Sequence, residues 1–194
     1  MTKPLYLFVG QSGSGKTTIV EELENIRGYK SIQSYTTRPK RYDNEYGHTF
    51  ISDEEFDKLE NVIAHTEYHD FRYCSTEELI DKSDLYVIDP DGVEILLEKY
   101  SNTERTICIF YLDTTVATRI DRMIDRGDSD MSIVSRLKND EQFDWYHKLS
   151  QLVWKHENIM NRDVVLYKIN ANNKKSNILE QVLYYINKLE GSEW

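Results

Sequence analysis

Leu5-Tyr6-Leu7-Phe8-Val9-Gly10-Gln11-Ser12-Gly13-Ser14-Gly15-Lys16-Thr17-Thr18-Ile19-Val20 decides the fold of this chain. Five apolar residues in a row, ended by glycine, read as a short strand buried on both faces. Ile19, Val20 and Leu23 then recur at helical spacing. Between strand and helix, Gly10–Thr17 fits G-x-x-x-x-G-K-[ST], in the structural context that this motif requires. Its glycines let backbone amides turn inward around phosphate oxygens, and the helix that follows offers its positive end. Lys16 reaches the β- and γ-phosphates, and Thr17 presents a hydroxyl to Mg²⁺. Gly10, Ser12, Gly13, Ser14, Gly15, Lys16, Thr17 and Thr18 are therefore the candidate ATP contacts, with Lys16 also a catalytic candidate.

Outward from that loop, strand and helix alternate. Leu85–Ile88 reads as a second buried strand with a helix Val93–Tyr100 behind it. Ile107–Leu112 is followed by a helix over Ala117–Ile124, and Val164–Ile169 by one over Ile178–Leu189. Tyr29–Gln33 is expected to add one more strand. This rhythm predicts an α/β fold, a P-loop kinase with a parallel central sheet flanked by helices. Two stretches interrupt it. Residues 34–82 are polar and lack a long buried run, although Ser52-Asp53-Glu54-Glu55 forms a capping box ahead of Phe56 and Leu59. Residues 126–132 are a polar connection between helices. The expected single domain thus has a core of 1–33, 83–125 and 136–194, an acceptor-binding insertion at 34–82 and a short lid at 126–135.

Composition narrows the function classes. The 194 residues carry 34 acids against 24 bases, a formal charge of −10, so a general nucleic-acid binder is disfavoured. Hydrophobic residues at 39% allow a sizeable core. Cys74 and Cys108 are the only cysteines, which excludes an internal disulfide framework or four-cysteine zinc site. No apolar run approaches a membrane span, and the first residues lack a signal-peptide pattern. The expectation is a cytoplasmic protein, a monomer or homodimer, whose partners are small-molecule nucleotides rather than nucleic acid or membrane.

Asp89 follows the strand Leu85–Ile88, where a carboxylate can share a Mg²⁺ shell with Thr17. Farther back, Ser34-Tyr35-Thr36-Thr37-Arg38-Pro39-Lys40-Arg41 brings two arginines and a lysine together in an anionic protein, and arginine forks suit phosphate. At these residues the sequence resembles the guanylate kinase family, in order over nearly the whole chain. The family's Ser-x-x-Thr-Thr-Arg-x-x-Arg stands as Ser34 through Arg41, and its Glu with Tyr-Gly-Ser/Thr is similar to Glu67 with Tyr73-Cys74-Ser75. Its Asp-x-Asp is Asp89-Pro90-Asp91, and its lid motif is similar to Arg126-Gly127 and Arg136-Leu137. The resemblance implies that Arg38, Arg41 and Tyr73 hold the phosphate of GMP. It implies that Ser34, Glu67, Ser75 and Asp91 face the base, and that Arg126 and Arg136 close on ATP. The implied reaction is Mg²⁺-ATP-dependent phosphoryl transfer to GMP, and to dGMP, with Arg38, Arg126 and Arg136 sharing catalysis with Lys16.

The chemistry of those side chains agrees, since guanine offers an acceptor at O6 and donors at N1 and N2. Hydroxyls can donate to the first and carboxylates accept from the others. Departures from the family pattern cluster on the acceptor side. Asn44 stands where a Glu is usual, with Glu45 one place on; His48-Thr49-Phe50 replaces Tyr-x-Phe in a shorter loop; Cys74 replaces Gly. A kinase for another nucleoside monophosphate or a sugar phosphate therefore stays open, as does a non-catalytic guanylate-kinase-like binding module, against which the intact phosphate loop speaks.

Arg119, Arg122 and Arg126 share one helix face leading to the lid. Arg119 is expected to be solvated there, and Arg122 to reach ATP. His65, His69 and Cys74 read as packing rather than a zinc site, because a fourth ligand is missing. Tyr184 and Tyr185 read as packing too.

Overall fold

The computed structural model describes residues 3–40, 43, 45–68, 70–140 and 144–191. In chain order the elements are β1 (Leu5–Val9), α1 (Lys16–Arg27), β2 (Ser34–Thr36), β3 (His48–Phe50), α2 (Asp53–Phe56), β4 (Val62–Tyr68), β5 (Phe71–Thr76) and α3 (Glu77–Asp81). They continue as β6 (Leu85–Val87), α4 (Pro90–Lys99), β7 (Ile107–Asp113), α5 (Val116–Asp125), α6 (Asp130–Asp140), α7 (Trp145–Asn158), β8 (Val164–Asn170) and α8 (Lys175–Glu190).

The central sheet has the order β6-β1-β7-β8, with every described pair parallel. All five residues of β1 are buried, and the two-residue period of a strand sends them to opposite faces. Leu5, Leu7 and Val9 join Ile107 and Ile109 in a core closed by Val93, Leu96 and Leu97 of α4 and Leu149, Leu152 and Val153 of α7. Tyr6, Phe8, Cys108, Phe110 and Leu112 point the other way, onto Ile19, Val20 and Leu23 of α1 and Ile178, Val182 and Ile186 of α8. A continuous apolar run is thus what a sheet covered on both sides requires, and each fully buried aliphatic side chain contributes roughly 1.5–3 kcal/mol.

The expected strand at Tyr29–Gln33 does not form. Only a single bridge joins Ser31 to Leu85, with Ile32 N donating to Leu85 O at 2.8 Å. The chain then leaves the central sheet, because Ser34–Thr36 pairs with β3 and β5 instead.

Residues 34–82 hold more order than their composition suggests. β3-β2-β5-β4 form a second sheet, parallel between β2 and β3 and antiparallel elsewhere. Its strands are short or polar, with β3 exposed or half-buried throughout, so no long apolar run advertises them. The capping box at Ser52 and Glu55 is present and starts α2. At the start of α3 the cap is Thr76, whose hydroxyl accepts from Leu79 N, so Ser75 remains in β5. The connection from α5 to α6 spans only 126–129, and the second half of the stretch 126–135 is helical.

Candidate active site

Gly13 and Gly15 set the shape of the phosphate loop. Gly13 has φ 79°, and a Cβ there would stand 2.7 Å from Arg119 O of α5. Gly15 caps α1 at φ 95°, a conformation that costs glycine little. The first turn of α1 carries no acid, so its positive end stays available to an anion. Lys16 Nζ donates to Gly10 O at 2.5 Å and Gln11 O at 3.0 Å, folding over the loop. Burial pushes its ammonium down to about 8; Arg119, Arg126 and Arg136 lower it further, and Asp140 opposes them. Ser14 is fully buried under the loop, while Thr17 and Thr18 are exposed on the first turn of α1.

One cavity of about 550 Å³ runs from this loop to the second sheet, a size typical of small-ligand sites. Gly10, Ser12, Lys16 and Arg136 line one end, and Ser34, Arg38, His48, Glu67 and Tyr73 the other. Asp89 and Asp91, after β6 and at the start of α4, also line it, with Trp145 and Lys148 of α7 on the wall.

Asp89 caps α4, accepting from Gly92 N at 2.8 Å. Burial raises its carboxyl above the usual carboxylate range, the Gly92 amide pulling the other way. Asp91 is exposed and bound to Lys148 Nζ at 2.5 Å, and the same ammonium meets Glu94 at 2.8 Å. Glu67 is an exposed rim residue, 3.9 Å from His65 Nε2.

Arg38 is nearly buried, and Glu45 clamps it at 2.7 and 3.2 Å in a two-pronged pair whose members expose 8% and 4% of their side chains. The guanidinium lies 5.3 Å from the Phe50 ring centre. Ser34 Oγ and His48 Nδ1 share a hydrogen bond at 2.9 Å, and the His48 ring meets Tyr73 edge-on.

Several expected contacts lie elsewhere. Arg122 donates to Ser14 O, Ala171 O and Asn173 O, tying the loop to the turn after β8. Arg126 is half exposed and paired with Asp128 at 2.5 Å, while Arg136 reaches Asp128 at 3.5 Å from inside the cavity. Ser75 Oγ is buried beside the Tyr86 hydroxyl; Tyr86 lines the cavity and Ser75 does not. Arg41 and Asn44, on the acceptor loop, and His69 fall outside the described residues.

The solvated position expected for Arg119 is overturned. It is 1% exposed, the largest fully buried side chain described, and its guanidinium turns under the phosphate loop to meet Asp140. Helical spacing assigns it a face shared with Arg122 and Arg126, yet tertiary packing brings that face against the loop. Asp140, Lys148 and Trp145 carried no motif, because each acts through a neighbour distant in sequence or merely lines the wall, whereas Glu45, one place beyond the family's usual Glu, pairs with Arg38 seven residues away.

No family model matches the chain. It is 32% identical over 152 residues to the guanylate kinase of Thermotoga maritima, covering 72% of each protein. The guanylate kinase of Bacteroides thetaiotaomicron is 31% identical over 146 residues, covering 69% of this chain and 71% of that one. Among solved structures, guanylate kinase from Anaplasma phagocytophilum superposes with a TM-score of 0.53 at 17% identity, over 97% of this chain and 85% of its own. A sugar kinase from Janibacter sp. HTCC2649 gives 0.51 at 14% identity, over 96% and 95%. These two likenesses speak for the fold, an α/β P-loop kinase, and the two sequence relatives for descent. The chain belongs to the guanylate kinase family and is a nucleoside monophosphate kinase.

Proposed function

We propose that this kinase transfers the γ-phosphoryl group of ATP to GMP, and to dGMP, giving ADP and the diphosphate. The observation that carries the reading is the single cavity with Lys16 of the phosphate loop at one end and Ser34, Arg38, Glu67 and Tyr73 at the other. ATP would lie along Gly10–Thr18, with Arg136 and Arg126 approaching its phosphates from the lid side. Arg122 supports this reading only indirectly, by fixing Ser14 through its carbonyl.

Mg²⁺ fits the residues present. Thr17 and Asp89 would hold it, and Asp89 stands in the same cavity as Lys16. Among the described residues no group of three or more His, Cys, Asp or Glu comes together. The ion would be held mostly by water, hydroxyl and phosphate oxygens. Bound with ATP, Mg²⁺ would neutralise charge on the β- and γ-phosphates.

The acceptor end supports a monophosphate. Glu45 takes both Nη groups of Arg38 and holds the side chain in one orientation, which would leave the buried Nε to meet an incoming phosphate, with Tyr73 beside it and Arg41 on the same loop in sequence. The nucleophile is an anionic phosphate oxygen, so the protein needs no general base; alignment and positive charge carry the step. Glu67 and Asp91 would accept from guanine N1 and N2, and Ser34 would donate to O6, with Ser75, buried on β5, as a further candidate. One observation favours the rival of a different monophosphate or a sugar phosphate: Asp91 is already ion-paired with Lys148.

An ATP-consumption assay across nucleoside monophosphates and sugar phosphates tests the choice. GMP is expected to exceed AMP by on the order of 10²–10⁴ in kcat/KM, because AMP leaves the carboxylates without donors. AMP or a sugar phosphate used as well as GMP would promote the rival. Two free, buried cysteines support a cytoplasmic setting. Among the described residues no helix is long and apolar enough to cross a membrane. Small nucleotides as the sole ligands, and a monomer or homodimer, complete the reading.

A further inference from the structure

Ser12, in the middle of the phosphate loop, has both backbone groups taken by one buried ion pair. Its N–H donates to Asp140 Oδ2 at 2.9 Å, and its carbonyl accepts from Arg119 Nε at 3.0 Å. Arg119 Nη2 donates to the same Asp140 oxygen at 3.0 Å, and Nη1 to the Gln11 side-chain carbonyl. Gln11 Nε2 closes the ring on Asp140 O at 3.1 Å. Arg119 comes from α5 and Asp140 is the last residue of α6, so the pair binds two helices to the loop. Both side chains are almost wholly removed from solvent.

The placement of Asp140 is costly for a phosphate site. Its carboxylate lines the same cavity as Lys16, where it would repel a triphosphate unless its charge were cancelled. Arg119 cancels it, and from beneath the loop, where its fork does not compete with ligand for space. Arg136 lies one helical turn before Asp140 on α6 and also lines the cavity. Docking the end of α6 on Ser12 therefore fixes how Arg136 stands relative to Lys16. An ordinary buried pair that only packs two helices would have no reason to grip loop amide and carbonyl together.

We propose that Arg119 and Asp140 are a positioning pair for the ATP site: the carboxylate fixes the Ser12 amide and the lid helix, and Arg119 makes that carboxylate compatible with bound phosphates. Neither side chain touches the nucleotide. The inference goes beyond the choice of acceptor and does not depend on it.

The test is equilibrium binding of a non-hydrolysable Mg²⁺-ATP analogue to the full chain, with melting curves for each variant and no acceptor present. Arg119→Gln should weaken binding about tenfold or more, since it leaves a buried carboxylate facing the phosphates. Adding Asp140→Asn in that background should return affinity to within about threefold of the parent, as removal of both charges relieves the repulsion. Should Arg119→Gln not fold, Asp140→Asn and Asp140→Leu take over. Both leave Arg119 without its partner, but Asn keeps an oxygen on the Ser12 amide and Leu does not, so Leu should bind the analogue about tenfold more weakly than Asn. A double variant no better than Arg119→Gln, a folded Arg119→Gln with parental affinity, or Leu equal to Asn would overturn the proposal. An unmodified chain that failed to bind the analogue would instead overturn the ATP-site reading.

Discussion

The two ends of the cavity are built by opposite means. At the phosphate end, one contiguous segment does the work, and its geometry is held by backbone: Lys16 on the carbonyls of Gly10 and Gln11, Arg122 on Ser14 O, Arg119 and Asp140 on Ser12. At the acceptor end, β2, β3, β4, β5, the start of α4 and α7 each contribute one or two side chains, held by one another: Arg38 by Glu45, Ser34 by His48, Asp91 by Lys148. A backbone-held site tolerates little change in sequence and so leaves a motif. A site held side chain to side chain can be re-paired residue by residue, and it is there that this chain departs from its family's pattern.

The sharpest way to break that contrast is Lys16→Ala. It should lower kcat by about 10²–10³ or more while the melting temperature stays near that of the parent, because the Lys16 ammonium hydrogen-bonds only to groups of its own loop among the described residues. Near-normal turnover in the purified variant would remove the phosphate end from the mechanism. Glu67→Ala probes the other end. Glu67 is exposed, so folding should be unaffected, but GMP should lose about 1–3 kcal/mol of transition-state binding while AMP loses little, narrowing their ratio. An unchanged GMP:AMP ratio would show that Glu67 does not read the base.

Glu45→Ala asks whether side-chain pairing holds the acceptor end. Removing one partner of the nearly buried Arg38–Glu45 pair should raise KM for the acceptor about tenfold, and KM for ATP far less. Equal increases in both constants would mean that the two ends are not built independently. The smallest effect lies outside the cavity. His156 on α7 is 1% exposed, neither ring nitrogen is hydrogen-bonded among the described residues, and burial first, then Lys155 and Arg162, holds it below its ordinary value. The unfolded chain therefore binds that proton more readily, so the stability is present above pH ~6.5 and falls as pH drops through it. Urea titrations between pH ~7.5 and ~5.5 should show this slope, and His156→Leu should flatten it. An unaltered slope in the variant would place the acid sensitivity in other groups.

What could be read from the sequence follows the same divide. Leu5–Val9 announced the central sheet because a strand buried on both faces must be apolar at every position, and the phosphate loop announced itself by spacing. The second sheet is illegible: β2 and β3 are three residues each, and the half-buried Tyr35 and exposed Thr49 give no run to find. Tyr29–Gln33 looked like a strand from its content, but its hydrogen bonds reach Asp84 and Leu85 for one bridge only before the chain crosses to β3 and β5. Arg119 escapes a reading by spacing because a charged residue at helical spacing is usually solvated; nothing local signals that Ser12 O and Asp140 await it across the fold. Lys148 and Trp145 reach the cavity only because α7 packs against α4, a tertiary fact.

The central claim is that donor and acceptor occupy one cavity whose two ends close on them together. Hydrogen exchange with a bisubstrate dinucleotide, adenosine and guanosine joined by a polyphosphate chain, tests it most directly. The account predicts protection of both 34–82 and 126–135 beyond that given by ATP or GMP alone. Protection confined to one segment, or exchange equal with and without the dinucleotide, would contradict it.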